Sequence, residues 1–179
     1  MIDFPAADLR TIYLHWTAGN RATTYPAYHV CVAREADGVD RAVLTRDPRA
    51  NARDVRPTGV VGYGAHVAGR NSFALGIALC AMADATPEDF GPYPVDDAGI
   101  DALCRTAARA AIVYGIAIDA EHVRTHAEAA VQDGYFGDGA DHRWDIARLE
   151  PSPMPLVEAD AAQIGDVLRA RIFAESLRA

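Results

Sequence analysis

Hydrophobic positions follow a strand period in the first half of this chain and a helix period in the second. The run Ile12-Tyr13-Leu14 ends on His15 and passes into small and polar residues, which predicts a strand over 11–17 entering a loop. "AYHVCVA" at 27–33 predicts a second strand. "EADGVDRAVL" at 35–44 sets an Asp37-Gly38 turn before a third, so 27–44 predicts a hairpin. Residues 45–72, rich in Arg, Asn, Gly and Pro, predict loop with some short helix. "FALGIALCAM" at 73–82 is apolar on both faces and predicts a buried central strand. Prolines punctuate 86–95, a surface connection.

The period then lengthens. Ile100, Leu103, Cys104, Ala107, Ala111 and Tyr114 share one helical face, with Asp96 or Asp97 as cap and Gly115 as stop. Residues 118–128 predict a short strand leading into a loop, and 129–143 a loop rich in Gly and Asp. A last helix is expected over about 158–177, with Ile164, Val167, Leu168, Ile172 and Phe173 on its apolar side. The order of elements implies a single α/β domain over 1–179, with a mixed central β-sheet flanked by helices.

Composition narrows the function classes. A net charge of −8 offers phosphates no concentrated basic face, so no nucleic-acid partner is expected. The basic residues are 17 arginines with no lysine, which removes any chemistry based on a lysine amine. Cys31, Cys80 and Cys104 are too scattered for a zinc ribbon and read as buried small hydrophobes. No apolar stretch approaches the ~18 residues of a membrane span. The N-terminus shows no signal-peptide pattern, which implies a cytoplasmic protein.

His15 and His126 stand out among the six histidines, because each closes a strand-like segment at the mouth of a loop. Strand ends are where sites of α/β sheets assemble. Two such imidazoles could share a zinc ion with one further ligand and an open position. The loop after His126 offers Asp133, Asp138 and Asp141.

Five blocks, in order, resemble the zinc-dependent N-acetylmuramoyl-L-alanine amidases, the group of phage lysis amidases and peptidoglycan recognition proteins. They are "YLHWTAG", "AYHVCVAREADG", "GYGAHVAGRNSFALGIAL", "VRTHAEAA" and "DHRWDIARL", which together span a core of 11–149. The resemblance implies that fold and a Zn2+ cofactor held by His15 and His126. The family's third ligand precedes an aromatic-Asp pair, here Trp144-Asp145, which implies Asp141, with Asp138 as the longer-spaced alternative. Tyr28 matches the tyrosine beside the metal and would donate to the developing oxyanion. Glu128 is implied as base, as a residue supporting the ligands, or as helix cap. His66 and Asn71 fall in the block that lines the substrate groove, with loop packing as the alternative for each.

Two departures stand against these matches. Many members carry an acid where this chain has Ala78, and others a lysine where it has Gly139. His142 and Arg143 are the nearby candidates for proton transfer and positive charge. The implied activity is hydrolysis of the amide between N-acetylmuramic acid and L-alanine, on peptidoglycan or soluble muropeptides. A separate lysis system would then deliver the enzyme to the wall. The alternative is a peptidoglycan-binding or regulatory module without catalysis.

Overall fold

In the computed structural model, residues 2–137, 139 and 142–178 are described. Among the described residues, five strands form one sheet in the order β3-β2-β4-β1-β5. They are β1 (Thr11–Trp16), β2 (Val30–Arg34), β3 (Asp40–Leu44), β4 (Ala74–Leu79) and β5 (Val123–Thr125). β2, β4, β1 and β5 run parallel, and β3 closes one edge antiparallel to β2. The expected hairpin is therefore present, and Gly38 takes the positive φ (+81°) its turn requires. Between β3 and β4 the chain is loop except for one short 3-10 turn, Pro48–Asn51.

The helices are α1 (Asp97–Tyr114), α2 (His126–Asp133) and α3 (Glu158–Ser176). Asp96 caps α1 by accepting from the Gly99 amide, and Gly115 ends it in the left-handed region. α1 packs across β2, β3 and β4 and against α3. No helix among the described residues is long and apolar enough to cross a membrane.

The two faces of the sheet have different side chains. Ile12, Leu14 and Trp16 of β1, Val30 and Val32 of β2, and Leu75, Ile77 and Leu79 of β4 point to the helical side and form the main core with Ile100, Leu103, Leu168 and Ile172. The alternate positions carry small residues on the central strand: Ala74, Gly76 and Ala78. Bulk on one side anchors the helices. Lack of bulk on the other leaves room for polar groups above the sheet. The three cysteines are buried and free, as their type suggests.

Two expectations are corrected. The segment after β5 is not loop: α2 begins at His126 itself. A reciprocal capping box explains it, in which Thr125 Oγ1 accepts from the Glu128 amide and the Glu128 carboxylate accepts from the Thr125 amide. On α3, Val167 and Phe173 are exposed, and the buried face is Ala161, Gly165, Leu168, Arg169 and Ile172. Small residues there let α3 approach α2 closely: a Cβ on Gly165 would overlap the Glu128 carboxylate.

Candidate metal centre

His15 is the fifth residue of β1, on the face opposite the main core. It stands across from Ala78 in the β1–β4 ladder and is fully buried. A methyl group at position 78 leaves the imidazole space to lie above the sheet. His126 arrives from the neighbouring edge, placed at the first turn of α2 by the cap at Thr125. Asp145 is tied to that turn, because its carbonyl accepts from the Ala127 amide at 3.1 Å. The next residue, Ile146, has a φ of +62° and is buried in the main core. A β-branched residue in this region is strained by ~1–3 kcal/mol, and core burial holds it there. The chain is thereby turned so that Asp145 faces the two histidines.

Asp145 Oδ2 lies 3.2 Å from His126 Nδ1 and 3.6 Å from His15 Nδ1. One ligand atom from each of the three residues falls within 4.8 Å of the others. Tetrahedral bonds of ~2.0–2.1 Å separate neighbouring ligand atoms by about 3.3–3.4 Å, so both distances suit one shared divalent ion. Among the described residues, His15 Nδ1 is also buried with no hydrogen-bond partner. A buried imidazole nitrogen without a partner is costly unless something occupies its lone pair. These residues therefore fit a metal ion, and His15, His126 and Asp145 could hold it.

The electrostatics agree. Burial pushes the His15 imidazole down to about 4, against weaker support from Asp145. The ring is therefore neutral near pH 7, the form that binds metal. Burial tends to raise the Asp145 carboxyl, but the hydrogen bond with His126 and the closeness of both imidazoles outweigh it and hold Asp145 well below the usual carboxylate range. The neutral His15 imidazole thus meets the Asp145 anion.

Other candidates divide around this cluster. Tyr28 stands beside it, its ring 5.0 Å from that of His15, with its hydroxyl 3.4 Å from the Trp16 carbonyl. Burial, then the Asp145 charge, pushes the phenol up, so it stays a donor. His66 is buried, with Nδ1 3.2 Å from His15 Nε2. Asn71 Oδ1 accepts from the His66 and Val67 amides at 3.0 Å, so its side chain holds the loop carrying His66. Glu128 is turned away: it lies about 200° around α2 from His126. Its carboxylate is taken up by the Thr125 amide and by Arg169 of α3. Asp138 and Asp141 lie outside the described residues.

Sequence reasoning passed over three residues. Asp145 served there only as a landmark beside Trp144, although its own carboxylate was the nearest acid to that mark. His29 is buried and accepts from the Gly76 amide through Nδ1 at 2.9 Å. Asn51 is buried and bridges the Gly64 amide and carbonyl to the Asn71 carbonyl. Nothing local in the sequence separates Asn51 from an ordinary loop asparagine.

Two cavities flank the cluster. One, of about 430 Å³, is lined by Trp16, Tyr28, His142, Trp144 and Asp145; the other, of about 500 Å³, by Tyr63, His66, Asn71, His126 and Tyr135. Arg143 lines both. A larger groove of about 1030 Å³ runs between α1, α3 and 147–157, lined by none of the cluster's residues. No protein-family model matches the chain, and no curated protein matches it.

Proposed function

We propose that this chain is a metal-dependent amidase acting on the amide between N-acetylmuramic acid and L-alanine, in peptidoglycan or in soluble muropeptides. The observation that carries the reading is the convergence of His15, His126 and Asp145, whose ligand atoms lie within 4.8 Å of one another beside Tyr28. The substrate comes from the five ordered sequence blocks. Their third element, the loop of His66 and Asn71, forms one wall of the adjoining cavity.

His15, His126 and Asp145 would hold the metal, Zn2+ in this reading. When bound, it would act as a Lewis acid on the amide carbonyl and lower the pKa of water. The chain's own groups supply the rest. Tyr28, kept protonated by burial, donates to the carbonyl oxygen as charge builds on it. Trp16 and Trp144, packed edge to face at 4.7 Å, form an apolar wall that keeps bulk water from one side. His142 lines the same cavity and is the candidate to protonate the leaving amine. Glu128, by its contacts, supports the start of α2 and through it His126.

One observation favours a second reading, a peptidoglycan-binding module without catalysis. Position 78 faces His15 directly, and it holds a methyl group where an acid could have served as base. Muropeptide digestion followed by mass spectrometry, with and without chelator, separates the two. The amidase reading requires chelator-sensitive release of stem peptides with a free alanine amino terminus. A protein that holds zinc and binds muropeptides but releases nothing is the module. Products that keep the muramyl–alanine amide intact overturn the substrate assignment.

A further inference from the structure

The side of His15 that faces away from Asp145 is also organised. Its Nε2 lies 3.2 Å from His66 Nδ1, and both residues are buried. The two rings meet edge to face at 82°, with centroids 5.2 Å apart. We propose that His66 is the positioning residue for His15: it accepts the His15 Nε2 proton and so leaves Nδ1 as the metal-facing nitrogen. This rests on the metal part of the functional reading and not on the substrate.

The assignment follows from counting protons. If His15 gives Nδ1 to the ion, its one remaining proton sits on Nε2. The atom opposite must then accept, so His66 Nδ1 is unprotonated and His66 carries its own proton on Nε2. Among the described residues no group donates to that nitrogen, so nothing there demands the reverse tautomer. Ligating histidines commonly donate their second N–H to a carboxylate, a carbonyl or a water. Here the acceptor is a neutral imidazole. The centre therefore keeps one more unit of positive charge than a carboxylate partner would leave, which favours polarisation of a bound carbonyl.

His66 is built in from three directions. Its amide donates to Asn71 Oδ1. Its ring lies flush on β4, where a Cβ added at Gly76 would come within 2.6–2.9 Å of Cγ, Cδ2 and Nδ1. His29 closes the far side, its ring centroid 5.5 Å away. A ring so enclosed has little freedom to turn from His15.

The test uses the whole chain. Protein labelled with 15N is loaded with Zn2+, then with 113Cd2+, and its histidine nitrogens are read by long-range 1H–15N spectra. His15 should show cadmium coupling at Nδ1, a proton on Nε2, and a through-hydrogen-bond coupling to His66 Nδ1. Zinc affinity is then measured by chelator competition. His66→Ala should weaken it about 10- to 100-fold. His66→Asn sets an oxygen near the Nδ1 position and should restore it to within a few fold. His66→Gln, whose amide reaches to the Nε2 position, should not. Metal coupling at His15 Nε2, or parent-like affinity in His66→Ala, overturns the inference and leaves the metal reading standing. A parent chain that takes up neither ion overturns both. If His66→Ala does not fold, the parent spectra decide alone.

Discussion

His126 and Asp145 are joined twice. Asp145 Oδ2 lies 3.2 Å from His126 Nδ1, and the Asp145 carbonyl accepts from the amide of the residue after His126. Side chain and backbone together hold one acid against one imidazole, although 19 positions separate them.

From this comes the first prediction. Asp145→Ala should reduce zinc affinity by more than the ~10- to 100-fold that losing a supporting hydrogen bond costs. Asp141→Ala should reduce it less. Chelator competition on both variants reads the difference. The reverse order would return the third ligand to Asp141.

Tyr28→Phe removes a hydroxyl and little volume. Zinc content should be unchanged, while kcat on muropeptides falls by about 10²-fold, the typical loss for an oxyanion donor. Parallel loss of zinc would show Tyr28 to be structural instead.

Glu128 offers a separation of roles. Its carboxylate joins Arg169 at 2.9 Å, with both side chains mostly buried, and completes the cap of α2. Glu128→Ala should destabilise the fold by about 1–3 kcal/mol, from the lost cap and the lost hydrogen bonds to Arg169, which keeps Asp166 and the Val123 carbonyl. Glu128→Gln keeps the capping geometry and should keep most of the amidase rate. Denaturant unfolding and kinetics are both needed. A rate that collapses in Glu128→Gln at nearly parental stability would make Glu128 the base.

Gly76→Ala tests the sheet's cleared face. Its Cβ would fall within 2.6–2.9 Å of the His66 ring, so His66 must move. Overpacking of this kind costs about 1–3 kcal/mol. Thermal unfolding of the metal-free chain should show that loss, with zinc affinity lowered as well. Unchanged values in both would mean the ring shifts freely.

The pH dependence should show in the metal-free protein. Burial pushes His29 down to about 4, against an ordinary value of 6.5. Below about pH 6.5 the unfolded chain takes up a proton that the folded chain refuses, so stability falls as pH drops towards 4. The shift corresponds to a loss on the order of 3 kcal/mol from this residue. Urea midpoints between pH 7 and pH 4 measure it. His29→Gln should make the profile shallower by about that amount, the rest coming from His15 and His66, which burial also pushes down; an unchanged slope would assign the acid sensitivity elsewhere.

Much of the fold was legible because it rests on local rules. Continuous apolar runs marked β1 and β4, the Asp37-Gly38 turn marked the hairpin, and Asp96 and Gly115 bounded α1. α2 was legible too, in Thr125-x-x-Glu128, but the glycines and aspartates that follow it pointed to loop. On α3, Leu168 and Ile172 are buried as expected, but Val167 and Phe173 were misplaced because bulk was taken for burial. Helices meeting at short range bury small residues and leave Phe173 outside.

By itself the sequence determined which residues could do chemistry: two histidines closing strand-like segments, a tyrosine that the resemblance matched to the metal's neighbour, and no lysine. Only the tertiary structure decided which of them meet. Asp145 reaches the histidines because Ile146 turns the chain there, Glu128 leaves them because helix rotation carries it to Arg169, and His66 joins them because Gly76, in another strand, leaves it a place. Ligand geometry depends on contacts between residues far apart in the chain, and those are set by packing, which no local pattern encodes.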